Sequence, residues 1–334
     1  MKAIALVSGG LDSILAAQLI KGLGIEVVVL NFKTPFRLCD KKIPNKSSNE
    51  LVRAVINLGA ELKVINVTDE FFKILKYPKY GYGSNMNPCI DCRILLFRKA
   101  KEFMLGLGAS FIVTGEVLGQ RPMSQNKQAL GLTERGAGLE GLVLRPLSAK
   151  LLPETIPEKE GWVPRDKLLD FNGRTRRPQI ELARVFKITD YPCAAGGCLL
   201  TDPGFSKRIK DLMACGDLNI NEVELLKIGR HFRLAPDVKV IVGRDEKENY
   251  RLVNLAKEGD YLFMPNDKLA GPTSLGRGRF NEELIRFSCS ITCRYCDLND
   301  ANTADIAYRA LPEKEYKLIK ALPTPETELE ALRI

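Results

Sequence analysis

A short loop of glycines, serines and one aspartate near the start of the chain has the composition of a phosphate-binding site. It follows the apolar run Lys2–Val7 and reads Ser8-Gly9-Gly10-Leu11-Asp12-Ser13. The glycines let backbone amides approach phosphate oxygens, and the N-terminus of a following helix adds donors and a positive dipole. The serines supply hydroxyl donors, and Asp12 can hold Mg²⁺ beside a pyrophosphate. The loop lacks the Gly-Lys-Ser/Thr ending of a Walker A motif, and a tight turn before an Asp-capped helix is its alternative interpretation.

Cysteines form the second group that could do chemistry, since the chain has nine of them. Cys89 and Cys92 stand two residues apart, and Cys198 follows a pair of glycines further along. Disulfides are rare in reducing compartments, so clustered cysteines in a cytosolic chain indicate a metal or redox site. The single histidine, His231, excludes a zinc site with several histidines and argues against a Ser-His-Asp hydrolase.

A second cysteine group lies near the end of the chain, in the spacing Cys289-x3-Cys293-x2-Cys296. Zinc, a second iron–sulfur centre with a fourth ligand from elsewhere, and three unligated thiols are all compatible with it. Cys39 and Cys215 are isolated in the sequence and are expected to be packed residues without a chemical role.

The elements that must position these residues begin with alternating strands and helices over residues 1–115. Strand patterns occur at Lys2–Val7, Glu26–Phe32, Leu62–Val67 and Phe111–Thr114, and helix patterns at Asp12–Leu23, Asn49–Leu58 and Ile94–Leu107. This order predicts an α/β fold with a doubly wound, mostly parallel sheet and right-handed crossovers. Such sheets bind ligands at the carboxyl ends of their strands, where the glycine loop falls.

The rest of the chain is predicted to be less regular. Residues 118–217 are expected to form an active-site cover or linker, and from Asn221 a small α+β domain follows. The expected domains are 1–150 for the phosphate-loop domain, 151–220 for a linker that carries Cys198, 221–285 for the second domain, and 286–334 for a cysteine-containing, partly ordered extension.

Length, charge and hydropathy set outer limits on function. A chain of 334 residues fits two or three domains, and a net charge of +9 with a pI near 9.0 favours a polyanionic partner. No apolar run approaches the roughly 20 residues that cross a bilayer, and the apolar N-terminal run is too short for a signal peptide. We expect a cytoplasmic protein with no membrane partner.

The glycine loop resembles the Ser-Gly-Gly-x-Asp-Ser signature of the PP-loop ATP pyrophosphatases, which have a HUP-like fold. These enzymes cleave ATP between the α and β phosphates and adenylate a carbonyl oxygen, which a nucleophile then displaces. The resemblance implies ATP and Mg²⁺ as cofactors. It assigns the nucleotide to Ser8, Gly9, Gly10, Asp12 and Ser13, to backbone contacts at Leu30, Asn31 and Phe32, and to Gly115.

Four further segments carry a narrower resemblance. Asn87-Pro88-Cys89-Ile90-Asp91-Cys92 is similar to the Asn-Pro-Cys-x-x-Cys motif of tRNA thiouridine synthases, which replace a uracil oxygen by sulfur. The segment Thr114–Gln125 stands where 2-thiouridylases carry Ala-Thr-Gly-His, with Glu116 in place of the histidine. Together with Gly229-Arg230-His231 and Val242-Gly243-Arg244, residues 1–285 resemble a thiouridylase-like group in which an RNA-binding domain related to that of NFACT proteins follows the PP-loop domain.

This resemblance implies an ATP-dependent tRNA sulfurtransferase that makes 2-thiouridine or 4-thiouridine, with Asp12, Cys89 and Cys198 as catalytic residues. Its partners would be tRNA and a sulfur donor, either sulfide or a persulfide carrier. Cys89, Cys92 and Cys198 either hold a [4Fe-4S] cluster whose open iron binds sulfide, which we favour, or work by a Cys198 persulfide that Cys89 resolves. A structural zinc site completed by Cys193 is the third alternative.

Basic residues suggest where RNA could bind, although solvated basic loops are an equal alternative. One set in the irregular region comprises Arg165, Lys167, Arg174, Arg176, Arg177, Arg184 and Lys187. A second set lies near the predicted C-terminal sheet and comprises Arg230, Phe232, Arg233, Arg244, Lys247, Tyr250 and Arg251. Two rival functions stay open. One is a PP-loop enzyme acting on a small molecule, such as a deazaguanine synthase or an amide-forming ligase with zinc at the C-terminal cysteines, and the other is an RNA-binding protein with a relic PP-loop.

Overall fold

A computed structural model describes residues 1–37, 46–189, 197–266, 269–298 and 301–334, and the side chains of 46–49 are not described. The chain divides into two compact units, Met1–Asp202 and Pro203–Ile334. Cys39 and Cys193, for which the sequence predicted roles, lie outside the described residues. No helix in the described ranges is long and apolar enough to cross a membrane.

The first unit is built on a parallel sheet with the strand order β3-β2-β1-β4-β5. The strands are β1 (Lys2–Leu6), β2 (Glu26–Lys33), β3 (Glu61–Asn66), β4 (Phe111–Thr114) and β5 (Val143–Leu144). The central strands β1, β2 and β4 are nearly continuous runs of buried apolar residues, because helices cover both faces of the sheet. The predicted doubly wound, parallel α/β fold is confirmed.

Helices occupy both faces of this sheet. They are α1 (Leu11–Gly22), α2 (Lys46–Leu58), α3 (Thr68–Lys76), α4 (Cys89–Gly106), α5 (Lys127–Ala137), α6 (Ile156–Lys159) and α7 (Arg177–Val185). Alternation along β1 sends Ala3 and Ala5 into the core beneath α1 and α2, while Ile4 and Leu6 pack against α4. This arrangement fixes the carboxyl ends of β1, β2 and β4 side by side, next to the N-termini of α1 and α4.

The predicted boundary between residues 150 and 151 is corrected by the packing. Val163 and Leu168 are fully buried in the same core as α1, and α7 also packs against α1. The segment expected to be a linker therefore belongs to the first unit, because its apolar side chains cover one face of the parallel sheet.

The second unit contains an antiparallel sheet in the order β11-β10-β8-β9-β7-β6. Its strands are β6 (Arg230–Ala235), β7 (Val238–Val242), β8 (Tyr261–Pro265), β9 (Ser274–Arg277), β10 (Ala304–Ala310) and β11 (Lys317–Ala321). Its helices are α8 (Pro203–Cys215), α9 (Ile220–Leu226), α10 (Glu246–Leu255), α11 (Glu282–Arg294) and α12 (Glu326–Leu332). The predicted small α+β domain is confirmed.

The predicted division at residues 285 and 286 is wrong. Strand β10 pairs with β8 in the register Ile306↔Pro265, and β11 pairs with β10, so both strands complete the same sheet. Leu329 of α12 is fully buried against Phe232. The end of the chain is therefore part of the second unit rather than a partly ordered extension.

Candidate active site

The glycine loop connects β1 directly to α1 at the carboxyl edge of the parallel sheet. Gly9 has a positive φ of 83°, a conformation that L-residues with a side chain rarely adopt. The Ser13 hydroxyl donates to the Gly10 carbonyl at 2.7 Å, which closes the turn. The N-cap residue of α1 is Gly10, which has no side chain with which to cap the helix. The positive end of that helix is therefore suited to an anion.

Gly115 sets how closely this loop approaches the neighbouring strand. It follows β4, and a Cβ atom at this position would lie 2.4 Å from both the carbonyl carbon of Asp12 and the amide nitrogen of Ser13. Such contacts are far inside van der Waals distance, so only glycine fits here without moving the loop backbone. Gly115 also lines the pocket, so its predicted contact with the nucleotide stays a prediction, and the close approach adds a role in positioning the loop.

Asp12 lies in the first turn of α1, and one of its two carboxylate oxygens contacts other side chains of the protein. Its Oδ2 accepts from Gln120 Nε2 at 3.1 Å and lies 3.7 Å from Arg176 Nη2. Its Oδ1 is buried and has no hydrogen-bond partner among the described residues. Burial raises the pKa of Asp12, and the bond from Gln120 and the charge of Arg176 oppose that rise. A buried, unpaired carboxylate oxygen suits a hard cation such as Mg²⁺.

Two arginines that flank Asp12 were not assigned to this pocket from the sequence. Arg176, predicted to belong to an RNA clamp, lines the pocket instead, and its Nη1 is buried without a partner among the described residues. Arg121 lines it too, and desolvation together with the charges of Arg93 and Arg176 lowers the pKa of Arg121. Guanidinium groups crowded together repel one another, and a polyphosphate would relieve that repulsion. Arg174 and Arg177 are exposed, and their predicted contact with RNA phosphates stays a prediction.

The end of β2 supplies an apolar wall. Leu30 and Phe32 line the same pocket as Ser8 and Asp12, and their predicted contact with the base stays a prediction. Asn31 points elsewhere: its side chain is buried, and its Nδ2 donates to the Val7 carbonyl at 2.7 Å. Asn31 therefore ties the ends of β1 and β2 together.

The first cysteine pair stands at the N-terminus of α4, and the structure brings Cys198 to the same place. Backbone and side-chain bonds join the loop before α4 to the segment after Cys198, from Met86 N to Leu200 O at 3.1 Å and from Asn85 Nδ2 to Thr201 O at 2.8 Å. Cys92 and Cys198 both line the pocket that contains the glycine loop. Residues more than 100 positions apart in sequence thus face one cavity.

The three cysteines are partly buried, and their thiols influence one another. Burial raises the pKa of Cys92 to about 11 and that of Cys198 to about 12, and neighbouring cysteines add to both shifts. The pKa of Cys89 is also raised by burial, against the opposing charges of Arg121 and Arg93. No group of three or more His, Cys, Asp or Glu residues in the described part of the chain is arranged to hold a metal ion.

Glu116, which stands where the related enzymes carry a histidine, is the centre of a buried ion-pair chain. Its Oε2 accepts from Arg145 Nε at 3.0 Å and from Thr114 Oγ1 at 3.2 Å, and its Oε1 forms an ion pair with Arg93, 3.0 Å from Nε. Arg145 also contacts Glu134 on α5. In the sequence, Glu116 was recognisable only as a departure from a motif. Its ion-pair partners could not be predicted, because they lie on other elements.

The C-terminal cysteines pack in the second unit. Cys289 and Cys293 on α11 are fully buried among apolar side chains, and Cys293 Sγ contacts the Ala321 carbonyl at 3.3 Å. Cys296 is partly buried, and its Sγ contacts the Thr292 carbonyl at 3.4 Å. These contacts favour the alternative of three unligated thiols, and zinc or a second iron–sulfur centre at these residues stays a prediction.

The basic residues predicted around the C-terminal sheet do not form one free surface. Arg233 pairs with Asp211 and Arg244 with Glu248, so both guanidinium groups have partners within the unit. Phe232 is fully buried, which excludes the predicted base stacking by this ring. Arg230 lies over the Tyr295 ring at 4.6 Å.

His231 is also buried, and its Nε2 lies 2.8 Å from the Ile228 carbonyl. Burial lowers its pKa well below the ordinary histidine value, as expected for a packed residue.

A parallel sheet with a Ser-Gly-Gly-Leu-Asp-Ser loop at the carboxyl end of its first strand defines an ATP-binding domain of the PP-loop class. Residues 1–150 match the family model described as "Thiamine biosynthesis protein (ThiI)". Residues 229–333 match the model of the NFACT protein RNA binding domain. The resemblances inferred from the sequence are confirmed for these two segments.

Individual relatives agree with the first of these matches. The tRNA-specific 2-thiouridylase MnmA of Petrotoga mobilis is 31% identical over 130 residues, which are 35% of each chain. The probable tRNA sulfurtransferase of Thermococcus kodakarensis is 29% identical over 148 residues, 44% of this chain and 36% of the relative. A solved 4-thiouridine synthetase–RNA complex with bound ATP has 18% identity and a TM-score of 0.35, over 68% of this chain and 52% of that chain. The chain spans about a third of the length of the curated relatives it matches.

Proposed function

We propose that the protein is an ATP-dependent tRNA sulfurtransferase that replaces a carbonyl oxygen of uridine by sulfur, giving 2-thiouridine or 4-thiouridine. The observation that carries this proposal is that Cys92 and Cys198 line the same pocket as Ser8 and Asp12. A site that activates a carbonyl oxygen with ATP and a site that supplies sulfur must share one cavity, because the sulfur attacks the carbon that ATP has activated.

The first half of the reaction uses the glycine loop. The amides and hydroxyls of Ser8–Ser13 bind the phosphates of ATP, and Asp12 Oδ1 holds Mg²⁺ beside them. Arg121 and Arg176 neutralise charge on the same phosphates. The uracil oxygen attacks the α-phosphorus, and pyrophosphate leaves. Leu30 and Phe32 enclose the nucleoside of ATP at the end of β2.

The second half of the reaction delivers sulfur to the adenylated carbon, and AMP leaves with the original oxygen. Cys92 and Cys198 line the pocket, and Cys89 precedes Cys92 by one turn at the start of α4. The three residues have the chemistry of the thiolate ligands that a [4Fe-4S] cluster with one open iron would need, and their side chains would have to turn toward one another to hold it. Such a cluster would supply a binding position for exogenous sulfide. Arg93, beside Cys92, places a positive charge where anionic sulfur arrives.

RNA is the acceptor in this proposal for two reasons. The second unit contains a match to an RNA-binding domain, and the chain carries a net charge of +9. The target base must leave its stack to enter the pocket, as in other enzymes that act on a base.

A reconstituted reaction tests the proposal. Anaerobically purified protein is incubated with ATP, Mg²⁺, sulfide and tRNA from a strain that lacks the enzyme, and the nucleosides are analysed by mass spectrometry. We expect a thiolated uridine in the presence of ATP, and none with Asp12→Asn or Cys198→Ala. ATP cleavage that depends on a small acid and is unaffected by tRNA would contradict the proposal. The mass of the product and its chromatographic position distinguish 2-thiouridine from 4-thiouridine.

A further inference from the structure

A groove on the first unit lies apart from the nucleotide pocket, between α3, α4 and α5. Its volume is about 690 Å³, and its walls carry the side chains of Lys73, Lys79, Tyr80, Arg98 and Arg135. The same helix α4 separates it from the nucleotide pocket, since Cys92 and Arg93 line that pocket while Asp91, Ile94 and Leu95 line the groove. Nothing in the proposed reaction uses this surface.

The groove is electropositive because its acidic side chains already have partners within the protein. The carboxylate of Asp91 accepts from the backbone amides of Lys79 and Tyr80, at 3.2 and 2.9 Å. Glu70 is paired with Lys99, at 3.4 Å. The ammonium groups of Lys73 and Lys79 are exposed and have no acidic partner among the described residues. The charge available to a ligand is therefore positive, which suits phosphate groups.

An aromatic surface accompanies this charge. The Lys79 ammonium lies 5.4 Å from the centroid of the Tyr80 ring, and Tyr80 is 38% exposed. Tyr77, which directly follows α3 and precedes Tyr80 by three residues, is 84% exposed. Lysines interleaved with exposed tyrosines provide phosphate contacts and stacking platforms together, the combination that binds single-stranded RNA.

The loop that carries these residues leads to the sulfur site. It is anchored at the groove by Asp91, and at its other end the Gly83 amide donates to the Asn87 carbonyl at 2.8 Å. A Cβ atom at Gly83 would lie 3.6 Å from Cys89 Sγ. A strand of RNA held at Tyr80 therefore continues along a fixed loop toward the cysteines.

We infer that this groove binds the RNA strand that flanks the target uridine, with Lys73 and Lys79 at phosphates and Tyr80 stacked on a neighbouring base. The inference rests on the proposed function, since it takes RNA as the acceptor. It adds an RNA-binding surface in the ATP-binding unit to the one expected in the C-terminal unit.

The test measures the dissociation constant of full-length protein for unmodified tRNA over a series of salt concentrations. Lys73→Ala and Lys79→Ala should each weaken binding and reduce the slope of log K against log salt by about 0.7–0.9, the value for one lost phosphate contact. Tyr80→Ala should weaken binding about tenfold, as expected for one lost stacking contact, with little change in slope. ATP affinity should be unchanged in all three variants, which shows that they fold.

Arg53→Ala provides the matched control. Arg53 is exposed on α2, which covers the face of the sheet opposite α4, so its removal deletes one positive charge outside the groove. This variant should bind tRNA like the wild type. If the groove variants also bind like the wild type while thiolation proceeds, the groove inference is overturned and the proposed function stands. If wild type binds tRNA through the groove but forms no thiouridine, the proposed function fails and the groove inference stands.

Discussion

Glu116 Oε1 lies 3.0 Å from Arg93 Nε, and this contact links a fully buried carboxylate to an arginine that lines the nucleotide pocket. Burial alone would raise the pKa of Glu116, but the guanidinium groups of Arg93 and Arg145 outweigh it and hold the pKa below its ordinary value. The carboxylate is therefore ionised at neutral pH and cannot replace a histidine as a proton donor. Its role is to hold Arg93 in place beside Cys92.

Glu116→Gln should destabilise the first unit by about 3 kcal/mol, because the buried guanidinium group of Arg145 and the partly buried one of Arg93 lose their shared counter-charge. The single tryptophan, Trp162, packs 6.4 Å from Phe111 in that unit, so its fluorescence in a urea titration reports the unfolding of the unit. Glu26→Gln breaks an exposed pair with Lys2 and serves as the control, with an expected loss below about 1 kcal/mol. Equal losses in the two variants would contradict the proposed role of Glu116.

Gly115→Ala should impair ATP binding at least tenfold. The added methyl group would lie 2.4 Å from backbone atoms of Asp12 and Ser13, so the loop must shift away from β4 and lose its geometry. Isothermal titration with a non-hydrolysable ATP analogue measures the effect. Gly22→Ala, at the end of α1, meets nothing within 4 Å and should bind the analogue normally. Unchanged affinity in Gly115→Ala would show that the loop tolerates displacement and does not bind phosphate in this form.

The sequence predicted the parallel sheet and its loop because the information is local. Buried runs such as residues 27–30 in β2 are apolar, and the loop directly follows the first strand. Arg176 and Glu116 could not be assigned in the same way, because the residues that define their roles, Asp12 and Arg93, lie on distant parts of the chain. Strand β11 was missed since it is an edge strand with exposed lysines, which weakens its apolar pattern. The C-terminal cysteines have a metal-like spacing that one helix face explains equally well.

The stability of the second unit should fall at acidic pH through Glu222. Its carboxylate contacts Lys239 and Arg277, and although burial alone would raise its pKa, these two cations hold the pKa below the ordinary value. A lowered pKa means that stability is fully present above the unfolded-state value, about 4.3, and is lost as the pH falls through the native pKa.

Urea midpoints by circular dichroism between pH 7 and pH 3 measure this dependence. Glu222→Gln should be destabilised by about 3 kcal/mol at pH 7, because Lys239 is left buried and unpaired, and its midpoint should change less below pH 4.3. Glu246→Gln, at an exposed position in α10, should follow the wild-type profile. If the urea midpoints of the wild type and of Glu222→Gln change with pH in parallel, Glu222 is not the source of the acid dependence.

Substitution of individual cysteines should separate the two groups. Cys89→Ala, Cys92→Ala and Cys198→Ala should each lose the iron content and the absorption band of anaerobically purified protein, and each should lose thiolation, because the cluster needs all three thiolates. Cys296→Ala should retain iron and activity, since its sulfur contacts a backbone carbonyl within the second unit. Cys215→Ala, at an exposed position, should behave like the wild type in both measurements. A different result would favour the persulfide mechanism: the wild type contains no iron but still thiolates tRNA, and Cys198→Ala loses that activity. The sulfur would then be carried as a persulfide on Cys198, and Cys89 would be the thiol that resolves it.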